Sequence, residues 1–375
     1  MKLVEFVPPT PHPLWELCPQ MGITDVIVKV NPDLTGLLDP WRYETLAYLV
    51  ARLKSAGLTV VGLEGDPFDM SPIKEFGERG KGNGEREEAL AHYRELLESM
   101  GRLGIKLLCY NFMVGKGWSR TGVREGRGGA KATYFSLFTN DKCHTCSQIT
   151  NTNHLANSEN STHSTRLNNP ANPVKDDLIL SHEQVWANYE YFIRAVMPTA
   201  EKWDIRMGLH PDDPCLDSLG GYARIFGSIE AYDRAYAIYP SPSNAVTFCQ
   251  ANVKLMLGNE ALADAARHFG KRIAFIHVRD VEGTKEDFTE LFHDQGTIDQ
   301  FALMRVYREI GLDVPVRGDH VPEMAYDRVL TPEGTPGYFT LGRLFANGYL
   351  KALLEGTDPA PRFCACVSAP FVRNY

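Results

Sequence analysis

The sequence alternates short apolar runs with longer helical patterns along most of its length, and this alternation restricts the fold more than any other feature. Helical patterns lie between the apolar runs at 44–56, 84–103, 183–202, 228–238, 260–269, 299–310 and 341–355, with a short helix near 15–18. Runs rich in β-branched and aromatic residues predict eight strands, at 3–7, 25–30, 59–63, 106–111, 206–210, 245–249, 273–278 and 314–318. Eight strands with intervening helices predict an α/β fold, a TIM (β/α)8 barrel, with a doubly wound open sheet as the alternative.

One segment, 114–180, interrupts this alternation. It is rich in Gly and then in Asn, Ser and Thr, and it shows almost no apolar periodicity. We expect residues 1–375 to form one barrel domain with 114–180 as an insertion after the fourth strand, on the C-terminal face where barrel enzymes carry their active sites. Long irregular connections in compact domains are functional lids or disordered surface segments. Cys143 and Cys146 lie in the insertion, but no second Cys/His pair follows at zinc-finger spacing, so a structural zinc is not expected.

Composition restricts the functional class. The chain has 375 residues, 43% of them hydrophobic, and a net charge of −8. The acidic balance argues against a nucleic-acid partner, which requires clustered Lys and Arg. No apolar stretch approaches the length of about 18 residues that a membrane span needs. The N-terminal run is strand-like and does not resemble a signal sequence, and eight Cys are too few for a disulfide framework. We therefore expect a cytoplasmic enzyme; a homodimer is compatible with the sequence.

Metal-ligating residue types end four consecutive predicted strands. Strands 206–210, 245–249, 273–278 and 314–318 end in or next to His210, Cys249, His277 and Asp319. In a barrel these side chains converge over the mouth at the C-terminal face. Two imidazoles, one thiolate and one carboxylate are suitable ligands for one divalent transition metal. The four residues therefore predict a metal site that leaves coordination positions open for a substrate.

Further polar and aromatic residues follow the strand ends. Asp66 and Asp69, after the third strand, are more typical of loop residues that bond to the backbone. His320 and Tyr338 lie close to Asp319 in the sequence or shortly beyond it, and a His and a Tyr beside a metal are plausible proton-transfer groups. Candidate substrate-binding residues on the same rim are Arg279, Asn111, Trp118, Arg120 and His293.

The predicted site suggests a class of chemistry. A metal that holds a carboxylate and the neighbouring hydroxyl makes the adjacent C–H more acidic. If a hydroxyl leaves from the next carbon, the result is β-elimination of water. Otherwise the result is epimerisation or isomerisation, and the metal site alone does not separate these outcomes.

Several motifs follow one another along the chain: Tyr110-Asn-Phe-Met113, Trp118-Ser-Arg120, Gly208-Leu-His-Pro-Asp-Asp-Pro214, Phe248-Cys-Gln250, Ile276-His-Val-Arg-Asp-Val281, Phe292-His-Asp294, Asp319-His320, and Pro336-Gly-Tyr338 with Gly342-Arg343. Together they resemble the mannonate dehydratase family, whose members convert D-mannonate to 2-dehydro-3-deoxy-D-gluconate in hexuronate breakdown. The chain departs from the family pattern at Val321, where Gly usually follows Asp-His, and at Ala251-Asn252 after Phe-Cys-Gln.

The resemblance implies a hydro-lyase with a TIM barrel of the xylose-isomerase-like kind and one Mn²⁺ or Fe²⁺. The family's metal ligands map to His210, Cys249, His277 and Asp319, the four residues selected above. Its acid/base pair maps to His320 and Tyr338, with Asp319 assisting. The small-molecule substrate would be a sugar acid, whose C1 carboxylate end the metal holds while Arg279 or Arg120 orients it.

Alternative functions remain open on the same fold. A dehydratase of another aldonate is compatible with every residue named above. A sugar isomerase or epimerase would need a second, carboxylate-rich ligand set, for which Glu64 and Asp66 are the only early candidates. A non-catalytic sugar-acid-binding barrel would not need His320 and Tyr338. An endonuclease with several zinc ions would need more ligands and a basic face.

Overall fold

The computed structural model describes residues 1–31, 36, 39–77, 84–138 and 178–358. Within this part, all eight predicted strands are present. The short apolar runs form strands because β-branched residues pack well on a pleated sheet that is covered on both faces. The barrel strands, numbered first to eighth below, are Lys2–Leu3 continued by Glu5–Val7, Asp25–Val28, Thr59–Glu64, Leu107–Tyr110, Arg206–Leu209, Asn244–Cys249, Ile273–Val278 and Pro315–Gly318.

The parallel sheet closes on itself through the first strand, which is divided at Val4. Its early half, Lys2–Leu3, pairs with the eighth strand, and its later half, Glu5–Val7, pairs with the second. The other strands pair in chain order around the ring, from the second to the eighth. The barrel prediction is therefore confirmed and the open-sheet alternative is wrong.

Helices surround this sheet. Their bounds are Leu14–Gln20, Tyr43–Ser55, Ser71–Lys74, Glu85–Arg102, His182–Lys202, Ile229–Ile238, Gln250–Leu257, Leu262–Phe269, Gln300–Glu309, Asp327–Leu330 and Thr340–Gly356. The helical patterns identified in the sequence are confirmed, and Gln250–Leu257 is an additional helix that directly follows the sixth strand. No helix among the described residues is both long and apolar enough to cross a membrane.

Two apolar layers are built from alternate residues of the strands. One layer fills the space between the sheet and the helices. The other fills the barrel interior and includes Ile27, Leu107, Ala245 and Phe275. Since side chains alternate across a strand, a residue two positions beyond Phe275 also points to the barrel axis, which is where His277 lies.

The described parts of 114–180 contain more regular structure than the sequence predicts. Gly122–Glu125 and Lys131–Ser136 form an antiparallel hairpin. The hairpin joins a second pair of strands, Val281–Thr284 and Asp287–Glu290, from the loop after the seventh barrel strand, giving a sheet of four strands. We refer to these four strands as the mouth sheet. Cys143 and Cys146 lie outside the described residues.

Candidate functional site

The four predicted metal ligands lie on neighbouring strands at the carboxyl end of the barrel. Cys249 is directly opposite His277 in the register of the sixth and seventh strands. His277 in turn is opposite Arg317 of the eighth strand, two residues before Asp319. His210 follows the fifth strand. One ligand atom of each of the four, His210, Cys249, His277 and Asp319, lies within 4.8 Å of the corresponding atoms of the others.

The surroundings of the two imidazoles in this cluster leave ring nitrogens available for a cation. Nδ1 of His210 lies 2.8 Å from the carbonyl oxygen of Pro211. A carbonyl only accepts, so Nδ1 carries the proton and Nε2 keeps a free lone pair. His277 is completely buried, and among the described residues its ring nitrogens make only long polar contacts, Nδ1 with Asp319 at 3.5 Å and Nε2 with Glu64 at 3.7 Å, without a hydrogen bond of normal geometry. A buried polar group without a partner is costly, and a bound metal would satisfy it.

The surroundings of the third ligand, Cys249, favour its thiolate form. Burial raises the pKa of its thiol, but the nearby Arg279 guanidinium and the adjacent imidazoles of His210 and His277 outweigh burial and lower that pKa to about 5. Nη1 of Arg279 lies 3.6 Å from Sγ. Since the thiolate is the form of cysteine that binds metal, the ligand set fits a divalent cation at neutral pH.

The carboxylate Glu64 lies on the far side of His277 and is already paired. Its oxygens accept from Nε and Nη2 of Arg317 at 3.1 and 2.5 Å, and they lie 3.7 Å from Nε2 of His277. Burial opposes ionisation, but Arg317 and His277 lower the pKa of Glu64 to about 2. Glu64, Cys109 and His277 also converge, but burial raises the pKa of Cys109, so its thiol stays protonated and this group is a weaker cation site than the first.

His320 and Tyr338 meet beside the ligand cluster. The Tyr338 hydroxyl oxygen lies 3.0 Å from Nε2 of His320, and His320 directly follows Asp319 in the chain. Burial and the negative charge of Asp319 raise the pKa of Tyr338 well above its ordinary value. The ring of Trp118 packs against both, with ring centroids 5.0 Å from His320 and 6.4 Å from Tyr338. The structure therefore brings the predicted proton-transfer pair together under an aromatic side chain.

Two buried arginines and two buried carboxylates form a charge-balanced group behind these residues. Arg120 donates two hydrogen bonds to Asp213, at 2.8 and 2.9 Å, and further ones to Glu290. Arg279 donates to Glu290 from both Nε and Nη2, and to Asp213 from Nη1. All four side chains are almost completely buried. We call Arg120, Asp213, Arg279 and Glu290 the charge quartet.

The quartet changes the interpretation of two predicted substrate-binding residues. The guanidiniums of Arg120 and Arg279 face Asp213 and Glu290, so each already makes bidentate contacts with a buried carboxylate and not with a substrate that it was predicted to orient. Their placement favours a supporting role, in which Arg279 keeps Cys249 ionised.

The other predicted rim residues are placed differently from one another. Oδ1 of Asn111 accepts from Lys74 at 3.0 Å and from the backbone of Met113 at 3.1 Å. His293 is buried, and its Nε2 lies 2.8 Å from the carbonyl oxygen of Val278, so it supports the end of the seventh strand. Trp118 alone among the three packs directly on the His320–Tyr338 pair.

The two aspartates after the third strand serve the loop, as their residue type suggests. Asp69 accepts hydrogen bonds from the backbone and the hydroxyl of Ser71. Asp66 forms an ion pair with the buried Lys74 at 2.8 Å.

Sequence reasoning missed Glu290, Arg317 and the role of Asp213. Arg317 precedes a predicted ligand by two residues, so strand parity could have selected it. Asp213 lies inside the His-Pro-Asp-Asp-Pro motif but in the loop after the fifth strand, where parity gives no information about its partners. Glu290 belongs to the mouth sheet, whose strands were not predicted, and no signal in the sequence pointed to it.

Comparisons with known proteins agree with this geometry. The sequence model of the D-mannonate dehydratase (UxuA) family matches residues 16–362. A mannonate dehydratase of Oceanobacillus iheyensis is 29% identical over 345 residues, which cover 88% of this chain and 93% of the relative. A mannonate dehydratase of Streptococcus pneumoniae is 27% identical over 348 residues, covering 90% and 92%.

Solved structures show the same similarity at the level of the fold. The crystal structure of mannonate dehydratase from Streptococcus suis serotype 2 superimposes with a TM-score of 0.74 at 25% identity, covering 95% of this chain and 93% of that one. An L-ribulose 3-epimerase superimposes with a TM-score of 0.53 at 10% identity, covering 95% and 96%. The latter similarity concerns the barrel alone.

Proposed function

The chain belongs to the D-mannonate dehydratase family of hydro-lyases, and we propose that it removes water from D-mannonate to give 2-dehydro-3-deoxy-D-gluconate. The observation that carries the proposal is the contact between the Tyr338 hydroxyl and Nε2 of His320, 3.0 Å apart, directly beside the four-residue ligand cluster. A β-elimination needs one group to take a proton and another to give one, and these two side chains are within reach of each other at the metal site.

We propose that His210, Cys249, His277 and Asp319 hold one Mn²⁺ or Fe²⁺. The bound metal supplies the positive charge that makes the C–H bond next to the substrate carboxylate acidic. A thiolate among the ligands is compatible with Fe²⁺ on softness, and the family resemblance adds Mn²⁺.

His320 and Tyr338 act as the acid/base pair in this proposal. One removes the proton at C2, and the other protonates the hydroxyl that leaves C3. The raised pKa of Tyr338 keeps its hydroxyl protonated at neutral pH, which suits a proton donor. Trp118 packs against both rings of the pair and limits the approach of water to them. Asp319, the ligand that directly precedes His320 in the chain, has its Oδ2 3.7 Å from Nδ1 of His320 and assists electrostatically.

The experiment that tests this function uses the metal-stripped protein with D-mannonate. We expect formation of the 2-keto-3-deoxy acid only after Mn²⁺ or Fe²⁺ is added. Tyr338→Phe is expected to retain the metal and lose nearly all turnover. Tyr48→Phe, at a largely exposed tyrosine of an outer helix, is the matched control and should retain full activity. Metal binding without product from D-mannonate would contradict the proposed substrate and direct the assay to other aldonates.

Further predictions from the sequence stay proposals. They are a single domain over residues 1–375 with 114–180 as its insertion, a homodimeric assembly, a cytoplasmic location, and substrate contacts from Asn111, Trp118, Arg120, Arg279 and His293. Among the five contact residues, Trp118 has the strongest support, because it packs against both members of the acid/base pair.

A further inference from the structure

We infer that Glu290 is a positioning residue for His320, holding the imidazole so that its Nε2 lone pair faces the Tyr338 hydroxyl. The inference deepens the proposed function and rests on it for the role of the pair, but it stands on geometry of its own. Oε1 of Glu290 lies 3.3 Å from Nδ1 of His320, and both side chains are buried. No motif in the sequence selects Glu290.

The carboxylate of Glu290 is held rigidly. It ends the last strand of the mouth sheet, where it is opposite Val281. Arg279 donates to both carboxylate oxygens of Glu290, from Nε to Oε2 at 2.8 Å and from Nη2 to Oε1 at 2.6 Å. Nη2 of Arg120 also donates to Oε1, at 2.7 Å. A carboxylate fixed by two guanidiniums cannot follow the imidazole, so the imidazole must orient itself to the carboxylate.

Counting hydrogens decides which ring nitrogen of His320 carries the proton. Nη2 of Arg120 also approaches Nδ1 of His320, at 3.5 Å. Nη2 of Arg120 carries two hydrogens, and both are already donated in shorter hydrogen bonds, to Asp213 at 2.9 Å and to Glu290 at 2.7 Å. Arg120 therefore has no hydrogen left for His320. Glu290 is ionised and only accepts, so the proton between Glu290 and His320 belongs to Nδ1.

The tautomer with the proton on Nδ1 leaves Nε2 as an acceptor. The Tyr338 hydroxyl then donates to Nε2 along their 3.0 Å contact. The same logic orients metal-bound histidines, in which a carboxylate on one ring nitrogen fixes the tautomer and the direction of the other. Among the described residues, the imidazole also lies near Oδ2 of Asp319, at 3.7 Å, and against the ring of Trp118, which makes no hydrogen bond with it.

The backbone of His320 makes such support necessary. His320 has φ of 48°, in the left-handed region that a residue with a side chain rarely adopts. Strained backbone of this kind persists where the surroundings hold it, and it is concentrated at functional sites. The hydrogen bond from the next residue, Val321 N, to Gly337 O at 2.8 Å holds the main chain. Glu290 holds the side chain.

The first test reads the tautomer directly. Protein labelled with ¹⁵N-histidine and loaded with diamagnetic Zn²⁺ is measured by NMR without substrate, and the His320 signals are assigned with His320→Gln. We expect a protonated Nδ1 and an unprotonated Nε2 in the wild-type protein. The opposite tautomer would overturn the inference. Because no turnover is involved, this result is independent of whether D-mannonate is the substrate.

The second test separates positioning from simple support of the fold. Glu290→Gln keeps the shape of the side chain and removes its charge, and we expect kcat to fall about 10–100-fold while KM and metal content stay within about threefold of wild type. Asp287→Asn is the matched control, since Asp287 lies on the same strand and is paired with Arg124 at the surface; it should retain full kcat. An unchanged kcat in Glu290→Gln, or an equal loss in both variants, would contradict the inference. If Glu290→Gln does not fold, the wild-type tautomer decides alone.

Discussion

The last helix lies close to the segment that carries His320, and we therefore expect Gly→Ala substitutions at two positions of this helix to affect stability differently. An alanine Cβ at Gly342 would lie 2.5 Å from the carbonyl oxygen of Pro322 and 2.9 Å from Cγ2 of Val321. At Gly348, in the same helix, a Cβ would meet nothing within 4 Å. Gly342 lies in the first turn of the helix and Gly348 in its interior, so the gain in helix propensity at Gly342 is no larger than at Gly348 and the pair differs mainly in packing.

The magnitudes follow from that difference. In a helix interior, Gly→Ala stabilises by about 0.5–1 kcal/mol, so Gly348→Ala should raise the free energy of unfolding by that amount. Gly342→Ala gains at most this much from helix propensity, and its Cβ overlaps a backbone oxygen that cannot rotate away. Forcing an extra methyl group into a packed site costs about 1–3 kcal/mol. We expect Gly342→Ala to be less stable than Gly348→Ala by that cost.

Urea unfolding followed by circular dichroism, combined with initial rates, tests this prediction. Gly342→Ala should also lower kcat, because Val321 follows His320 and is hydrogen-bonded to Gly337, the neighbour of Tyr338. Gly348→Ala should leave kcat unchanged. Equal stability of the two variants would refute the reasoning, since it would mean that the helix and the His320 segment adjust to a methyl group without cost.

Three further predictions concern the charged and metal-binding interior. Arg343→Met should lower the free energy of unfolding by about 3–5 kcal/mol, because it leaves Glu5, which Arg343 contacts at 2.8 Å, as a buried and unpaired charge. Adding Glu5→Gln should recover part of this loss, measured by urea unfolding. If the effects of the two substitutions simply add in the double variant, the argument is wrong. Burial lowers the pKa of His293 from 6.5 to about 4, so below pH 6.5 the unfolded chain binds a proton that the folded chain does not. As the pH is lowered from about 6.5 to 4, the free energy of unfolding should therefore decrease, by about 1.4 kcal/mol per pH unit for this group. In His293→Gln, Tm measured across that range should depend less steeply on pH. Cys249→Ala should lose most of its bound Mn²⁺ or Fe²⁺ after dialysis, measured by elemental analysis, whereas Cys215→Ala, at a buried cysteine outside the ligand cluster, should retain it.

The barrel strands and the ligand cluster could be predicted because both depend on local pattern and strand parity. A continuously apolar strand such as Ile273–Val278 is recognisable from composition, and its last inward position determines that His277 faces the barrel axis. Parallel strands then bring their carboxyl ends to one edge whatever the details of the helices between them. The four ligands converge for this reason.

The charge quartet could not be predicted because it depends on pairing between distant loops. Arg120 and Glu290 are 170 residues apart in the chain and meet only because the mouth sheet joins the loops after the fourth and seventh strands. The strands of this sheet are four to six residues long, and Val281–Thr284 is mostly exposed, so they lack the apolar runs that identify the barrel strands. Nor does a sequence show whether an arginine faces a substrate or a buried carboxylate. For this reason the sequence predicted substrate binding for Arg279, which the fold pairs with Glu290 and Asp213.

The division of the first strand has a consequence for how the chain is made. One half of this strand pairs with Asp25–Val28, which emerges within the next few tens of residues, but the other half waits for Pro315–Gly318. At translation rates of about 5–20 residues per second, that partner emerges roughly 15–60 s later. Throughout this time the growing sheet has an open edge at each end, and unpaired edges bind other strands. Until its eighth strand is made, the growing chain therefore exposes sheet edges that can aggregate, and a chain that ends before residue 315 would carry a sheet that cannot close.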